Sequence, residues 1–385
     1  MIKAVIFAAG KGTRLRPLTF TRPKPSLRIL DKTIMENTLE ELTGLVEEVV
    51  IVIGYKGEVI KEQIGEEYKG MSIKYVEQKE QLGTGDAAMT ALPFLGEQFI
   101  ILNGDDVYKK KDIEGMLQKN PSMLVKEVED PTGCGQVITE GDEIKDLVEK
   151  PEKPVSNIIN VGCYFLNKDF FKESIEKSSR GEYEIVDYIN NYNGPIYFQK
   201  AEEWQAVSYP WDMLKVAQKL LLEEKEKREG VVEEGVNIKG KVVLEKGSLI
   251  KSGTYIEGPV YIGKNTVVGP SAYLRENTVI HDNCRIGCSV EIKESVIFSN
   301  TSIPHLAYIG DSVIGESCAI AAGTVIANLR FDGEEVKETK RKKMGAVLGD
   351  GVKIGINCSL MPGVVIDNRV VINPHTVAKD HVHRS

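Results

Sequence analysis

Between residues 238 and 292 every sixth position is aliphatic: Ile238, Leu244, Ile250, Ile256, Ile262, Val268, Leu274, Ile280, Ile286 and Ile292. Two residues before each stands a mostly small or β-branched one, from Val236 and Val242 to Cys284 and Val290, and glycines fall often at the turns. Three hexads make one triangular coil in which the repeated aliphatic side chain stacks inward. The pattern therefore predicts a left-handed parallel β-helix over residues 231–385. After Ile309 the register shifts, with Ile314, Ile320 and Ile326 in step. A polar excursion from about Asn328 to Lys343 interrupts it, and Leu348, Ile354, Leu360, Ile366 and Ile372 resume the six-residue step. An excursion that returns in register is a loop projecting from one face, where solenoids put ligand contacts. Just before it, the strict count puts Pro304 in the inward slot and His305 at a distorted corner.

Residues 1–230 follow a different rhythm. Apolar runs alternate with amphipathic segments, the pattern of an α/β domain with a mostly parallel, Rossmann-like sheet covered by helices. Strands are expected at 4–8, 48–53, 73–76 and 99–102, and helices near 35–45, 57–67 and 84–92. A long connecting helix is expected over 213–229; its last turns are charged all round and Gly230 stops it.

A length of 385 residues suits two such domains. The net charge of −8 argues against nucleic acid or an anionic membrane as the main partner. No window approaches the roughly 20 apolar residues of a membrane span, and the N-terminus lacks a charged leader followed by an apolar run. A cytoplasmic protein is expected. The six cysteines form no C-x-x-C pair, which fits reduced, packed thiols.

The candidate chemistry begins at AVIFAAGKGTRLRPLTFTRPKPSLR, residues 4–28. Gly10 and Gly12 leave no Cβ in the way, so backbone N–H groups can turn toward an anion. Arg14, Arg16, Arg22, Lys24 and Arg28 then supply charge, as a polyphosphate would require. In parallel sheets ligands sit at the carboxyl ends of strands. There the run FIIL leads into Asn103-Gly104-Asp105-Asp106, where Asp105 either holds Mg²⁺ or closes a plain turn. Gly83 and Thr84 open a helix and can present N–H and hydroxyl groups to a flat base, while Gln78 has a donor and an acceptor for a base edge. Glu149 can accept from sugar hydroxyls and Lys150 can pair with a phosphate. Asp212 is either an acid at a helix start or a second metal ligand.

The full string G-x-G-T-R-L-x-P-L-T followed by P-K-P resembles the signature of nucleotidyltransferases that join a nucleoside triphosphate to a sugar 1-phosphate. The resemblance spans the first domain. It implies that Arg14 and Lys24 neutralise the triphosphate and departing pyrophosphate, and that Gly10, Gly12, Thr13, Gln78, Gly83 and Thr84 bind the nucleotide, UTP or dTTP. It further implies that Asp105 and Asp212 hold Mg²⁺, and that Gly135, Glu149, Lys150 and Asn160 hold the sugar phosphate. In the second half, P-H-L-x-Y-x-G-D-S followed by A-N-L-R-F-D-G resembles the acetyltransferase half of bifunctional N-acetylglucosamine-1-phosphate uridylyltransferases, particularly their archaeal type. By that resemblance His305 takes a proton from the amino sugar as it attacks acetyl-CoA, Tyr308 and Asn328 orient the acceptor, and Lys337 meets a sugar or CoA phosphate. A homotrimer or dimer of trimers is implied. Two alternatives share the layout. One is a single-activity pyrophosphorylase making dTDP-glucose, GDP-mannose or ADP-glucose, whose β-helix serves oligomerisation or regulation. The other is a non-enzymatic exchange-factor subunit of translation initiation. His305 with Asn328 argues against the first, and Arg14, Lys24, Asp105 and Asp212 argue against the second.

Overall fold

The computed structural model describes residues 2–383. The chain forms two compact units, one built from residues 2–11, Arg22–Leu27 and Thr33–Ala206, the other from Gly12–Thr21, Arg28–Lys32 and 207–383. Among the described residues no helix is long and apolar enough to cross a membrane.

A ten-stranded sheet organises the first unit. Its parallel half holds Met71–Glu77, Glu48–Ile53, Lys3–Ala8 and Gln98–Asn103 in that spatial order, with Ala4 opposite Val49 and Lys3 opposite Phe99. Strands covered on both faces need apolar side chains on both, hence the unbroken EVVIVI run, buried from Val49 to Ile53. The pleat sends Ala4, Ile6 and Ala8 into one core layer and Val5 into the other. Helices Ile34–Leu42, Gly57–Ile64 and Thr84–Ala91 lie where the pattern expects them. The first is started by a capping box, in which Thr33 Oγ1 accepts from Glu36 N and Glu36 Oε2 accepts from Thr33 N. The expectation of a mostly parallel sheet holds for this half only. Ile158–Asn167 joins Gln98–Asn103 antiparallel, and Ser122–Glu127, Tyr197–Lys200, Glu143–Val148 and Gln136–Glu140 continue a mixed sheet beyond it.

In the second unit the connecting helix spans Asp212–Glu223 and ends six residues before the expected 229. Beyond Leu221 its sequence offers no apolar stripe to bury, and Leu222 is already exposed. Glu224 turns extended, and Lys227–Arg228 pairs with Val243–Leu244, so the solenoid begins before residue 231. The β-helix consists of three eight-stranded parallel sheets. The hexad residues from Leu244 to Ile292 are fully buried, each stacked on its counterpart one coil away, as Leu244 on Ile262 and Ile262 on Ile280.

The strict count fails earlier than expected. Ile297 takes the inward slot only five residues after Ile292, and Ile303 and Ile309 follow, so the slot assigned to Pro304 belongs to Ile303. A second five-residue step separates Ile309 from Ile314, and the excursion after Ile326 rejoins at Leu348. All three irregularities occur at one corner of the triangle, in consecutive coils.

Arg28 also departs from its expected role. Its guanidinium bonds Asp282 at 2.6 and 3.4 Å, both groups largely buried, so its charge is neutralised within this unit. His281 is buried beside it, its Nε2 3.0 Å from Ile29 O. Burial pushes the Asp282 carboxyl up, but the hydrogen bond and charge of Arg28 outweigh it and hold the group below its usual 3.8.

Ile262→Asp should cost more than about 4 kcal/mol, because a charge replaces a side chain sealed between two coils; a denaturation profile unchanged in the β-helix would refute the register. Asp282→Asn should destabilise by about 1–3 kcal/mol at pH 7. Since the folded pKa of Asp282 lies below the unfolded one, its contribution is present above about pH 4 and drains away as pH falls through the depressed value. The gap between the denaturation midpoints of parent and variant should accordingly close in acid.

Candidate active sites

Four loops leave the carboxyl ends of the parallel strands, and three of them carry the expected groups. Gly104 N bonds Phe7 O at 2.9 Å, which fixes the turn after Gln98–Asn103 and sets Asp105 at the strand edge. Lys24, on a short 3-10 turn begun by Pro23, reaches Asp105 with Nζ 2.6 Å from Oδ2. The Lys24 side chain is 7% exposed and that of Asp105 40%, so a buried ammonium is held against a carboxylate open to solvent. Asp106 points inward, accepting from Trp204 Nε1 at 3.3 Å. Its carboxyl is pushed up to about 7, first by burial and then by the charge of Asp105. Two adjacent carboxylates thus share one ammonium.

The Gln78–Thr84 loop is shaped from within. Gln78 is buried, and its Nε2 donates to Gly83 O at 3.0 Å and Asp86 Oδ2 at 2.8 Å, so its donor is spent on the loop. Gly83 has φ 105°, and a Cβ there would lie 2.4 Å from Tyr183 O; only glycine fits. Thr84 Oγ1 accepts from Ile185 N at 3.0 Å, and Gly85 N donates to Tyr183 O at 2.8 Å. The 183–185 segment clamps this loop, a role with no signal in its sequence.

Gly135, Glu149 and Asn160 meet as expected. Asn160 N bonds Gly135 O at 2.8 Å, and a Cβ on Gly135 would lie 2.8 Å from Glu149 Oε2. Asn160 donates from Nδ2 to Tyr164 Oη at 2.6 Å and accepts at Oδ1 from Gly162 N at 2.9 Å, which locks its rotamer. Lys150 pairs with Glu149 at 2.9 Å. Arg180, which the sequence reading passed over, bonds Glu149 at 3.1 Å and the nearly buried Glu184 at 2.7 Å. Its only signal was a charge in a polar loop.

In the second unit Gly12, at φ 58°, precedes the 3-10 turn Thr13–Leu15, and Arg14 lies 5.6 Å over the ring of Tyr209. Tyr209 stacks on Trp211, centroids 4.9 Å apart. Asp212 opens its helix, and its Oδ2 accepts from Ser208 N at 2.8 Å and Tyr209 N at 2.7 Å. One of its oxygens therefore closes the preceding turn.

His305 ends strand Ser302–His305 and is exposed, in register with Cys288. The next strand, Tyr308–Gly310, leads from that corner to the irregular one. Asn328 Nδ2 donates to Tyr308 Oη at 3.3 Å and to Asp311 Oδ2. A Cβ on Gly310 would lie 2.6 Å from Tyr308 Oη and 2.7 Å from Asn328 Nδ2, so this glycine makes their approach possible. Asp311 was not singled out beforehand. It is buried, with Lys293 Nζ 3.8 Å away, and burial pushes its carboxyl up against the opposing pull of Asn328 and Lys293. Lys337 stands apart from this group; its Nζ bonds Gly363 O at 3.5 Å, next to the buried anchor Val336.

The nucleotidyl transferase family model matches residues 3–223, the GMPPB C-terminal domain model residues 256–343, and the bacterial transferase hexapeptide model residues 345–379. "Bifunctional protein GlmU" of Methanocaldococcus jannaschii is 42% identical over 381 residues, covering 94% of this chain and 91% of its own. The "Bifunctional sugar-1-phosphate nucleotidylyltransferase/acetyltransferase" of Sulfurisphaera tokodaii is 39% identical over 401 residues, with 99% and 98% covered. A solved structure of UDP-glucose pyrophosphorylase complexed with UDP-glucose aligns over 58% of this chain and 100% of its own, at 25% identity and a TM-score of 0.53. The chain belongs to the nucleotidyl transferase family, as a bifunctional sugar-1-phosphate nucleotidylyltransferase and acetyltransferase whose second half is a hexapeptide-repeat β-helix.

Proposed function

We propose that the enzyme acetylates glucosamine 1-phosphate or galactosamine 1-phosphate with acetyl-CoA and then couples the product to UTP or dTTP, releasing pyrophosphate. The cluster that supports two activities is Tyr308–Asn328–Asp311, on the coil that also carries the exposed His305, which a scaffold for oligomerisation alone would not need.

In the first reaction the amino nitrogen attacks the thioester carbonyl, the bond to sulfur breaks, and His305 takes the nitrogen's proton. Tyr308 and Asn328 orient the acceptor, and buried Asp311 holds Asn328 in its rotamer. Lys337 offers a cation for a phosphate of the sugar or CoA. In the second reaction a sugar-phosphate oxygen, already largely ionised at neutral pH, attacks the α-phosphorus and pyrophosphate leaves. Such chemistry needs alignment and charge neutralisation more than a base. Lys24 and Arg14 neutralise the triphosphate, with Gly10, Gly12 and Thr13 turning backbone donors to it. Gly83 and Thr84 face the base with Gln78 stiffening their loop, while Gly135, Glu149, Lys150 and Asn160 take the sugar phosphate, with Arg180 added.

Mg²⁺ fits the first site. Asp105 supplies a hard oxygen donor, and the excess negative charge of adjacent Asp105 and Asp106 is what a divalent cation relieves. When bound it would screen the phosphates; Asp212 is the second carboxylate assigned by the family resemblance. Exposed Leu306, Val325, Leu329 and Phe331 give the β-helix an apolar surface that supports a homotrimer or dimer of trimers. Six free cysteines and the absence of a membrane-crossing helix among the described residues accord with the cytoplasm.

Lys24→Ala or Asp105→Asn should lower nucleotidyl transfer by at least about 10²-fold and leave acetyl transfer intact. His305→Ala should do the reverse, by about 10²–10⁴-fold; parallel rate assays in which either variant lost both activities while folded would contradict the division. The acceptor is named by thiol release from acetyl-CoA with glucosamine 1-phosphate and galactosamine 1-phosphate side by side. Release with one, dependent on His305, identifies it. Release with neither, while N-acetylglucosamine 1-phosphate and UTP still yield pyrophosphate, would leave a single-activity pyrophosphorylase.

A further inference from the structure

The last coil of the β-helix is closed by residues that neither activity uses. Val382 forms an isolated parallel bridge with Ile366: its N–H donates to Val365 O at 2.9 Å, and Asp367 N donates to Val382 O at 3.0 Å. Val382 packs against the core column. In an extended segment alternate side chains share a side, so His381 and His383 both project opposite to Val382. They converge on one carboxylate, with His381 Nε2 2.9 Å from Asp367 Oδ1 and His383 Nδ1 3.2 Å from Asp367 Oδ2. The two rings lie against each other, centroids 4.0 Å apart at 33°.

We propose that Asp367, His381 and His383 form a site for a zinc-class divalent cation that fastens the chain's last segment to the final coil. All three donor atoms lie within 4.8 Å of one another, and they are the one group of three or more potential ligands found among the described residues. Bonds of about 2.0–2.2 Å in a tetrahedron put neighbouring ligand atoms roughly 3.3–3.5 Å apart, so a cation enters by parting the two histidine–carboxylate contacts slightly and drawing the more distant donors together. Two imidazoles and one carboxylate suit zinc, cobalt or nickel better than magnesium or calcium, which prefer oxygen-only shells. The carboxylate is fixed, its side chain 13% exposed, whereas the imidazoles at 44% and 71% give an ion a route in and leave a fourth position for water. With an ion bound, the two imidazoles become ligands of a closure that holds Val382 against the core.

The test uses the untagged full-length protein, stripped with chelator and kept in excess Mg²⁺ so that hard-oxygen sites are filled. Zn²⁺ is titrated by calorimetry, Co²⁺ is added for its tetrahedral absorption, and melting is followed with and without Zn²⁺. One Zn²⁺ per chain, a tetrahedral Co²⁺ band and a rise in melting temperature are expected. The double variant His381→Gln with His383→Gln, whose side chains are exposed, should bind at least about 10-fold more weakly and lose the rise. Cys288→Ser should keep both, since Cys288 is the exposed thiol that could bind zinc elsewhere. Zn²⁺ binding unchanged in the histidine double variant, binding lost only in Cys288→Ser, or no binding by the parent chain would each overturn the proposal. Nucleotidyl and acetyl transfer in the double variant should equal those of the parent, so failure of this site is separable from failure of either activity.

Discussion

Each turn of the triangular solenoid offers one inward slot per face, and an aliphatic side chain must fill it against identical neighbours above and below. That constraint governs the second half of the molecule. A coil in register keeps its interior apolar, so buried polar groups such as Asp311 gather where the count fails. Three successive coils fail at the same corner, shortened by one residue after Ile292, shortened again after Ile309, and opened into a loop after Ile326. Lys293, Asp311 and Asn328 stack at that corner, one from each coil. The irregularities keep the aliphatic column intact while setting a polar column beside it at one corner.

The sheet-bearing unit meets the opposite difficulty, that of gathering negative charge. Its answer is a buried ammonium held against an exposed carboxylate, Lys24 on Asp105, with a second carboxylate sealed behind. The lysine is already desolvated and held in one place by that contact, so in the proposed reaction little reorganisation would be needed to meet an anion. Rigid loops complete the arrangement: Gln78 and the 183–185 segment fix Gly83–Thr84, and Tyr164 fixes Asn160.

Much of this was legible in the residues because it rests on periodicity or on motifs of fixed spacing. The alternation of the first half and the hexads of the second predicted both folds, and the structure brings Lys24 to Asp105, Gly135 and Glu149 to Asn160, and Tyr308 to Asn328 while leaving Lys337 apart. The register break was hidden for a definite reason. Ile297 and Phe298 are both apolar, and either satisfies a count of six or five; only the stacking of Ile297 on Ile280 decides between them. Charge sign was equally ambiguous, since nothing local in Arg28 distinguishes a phosphate ligand from the partner of Asp282. Asp311 and the Glu149 contact of Arg180 went unnoticed because their partners are 17 or more positions away, and a lone charged residue carries no period.

The interleaving of the two compact units has a consequence for how the chain is made. Arg28 finds Asp282 254 positions later, and Thr21 bonds Asp350 329 positions later. At about 5–20 residues per second, the partner of Arg28 leaves the ribosome on the order of 10–50 s after Arg28 itself. The glycine-rich loop is therefore among the first segments synthesised and among the last to gain its full set of contacts. Thr21 and Arg28, made early, belong to the unit that is finished late, and their bonds wait until the solenoid has been laid down coil by coil.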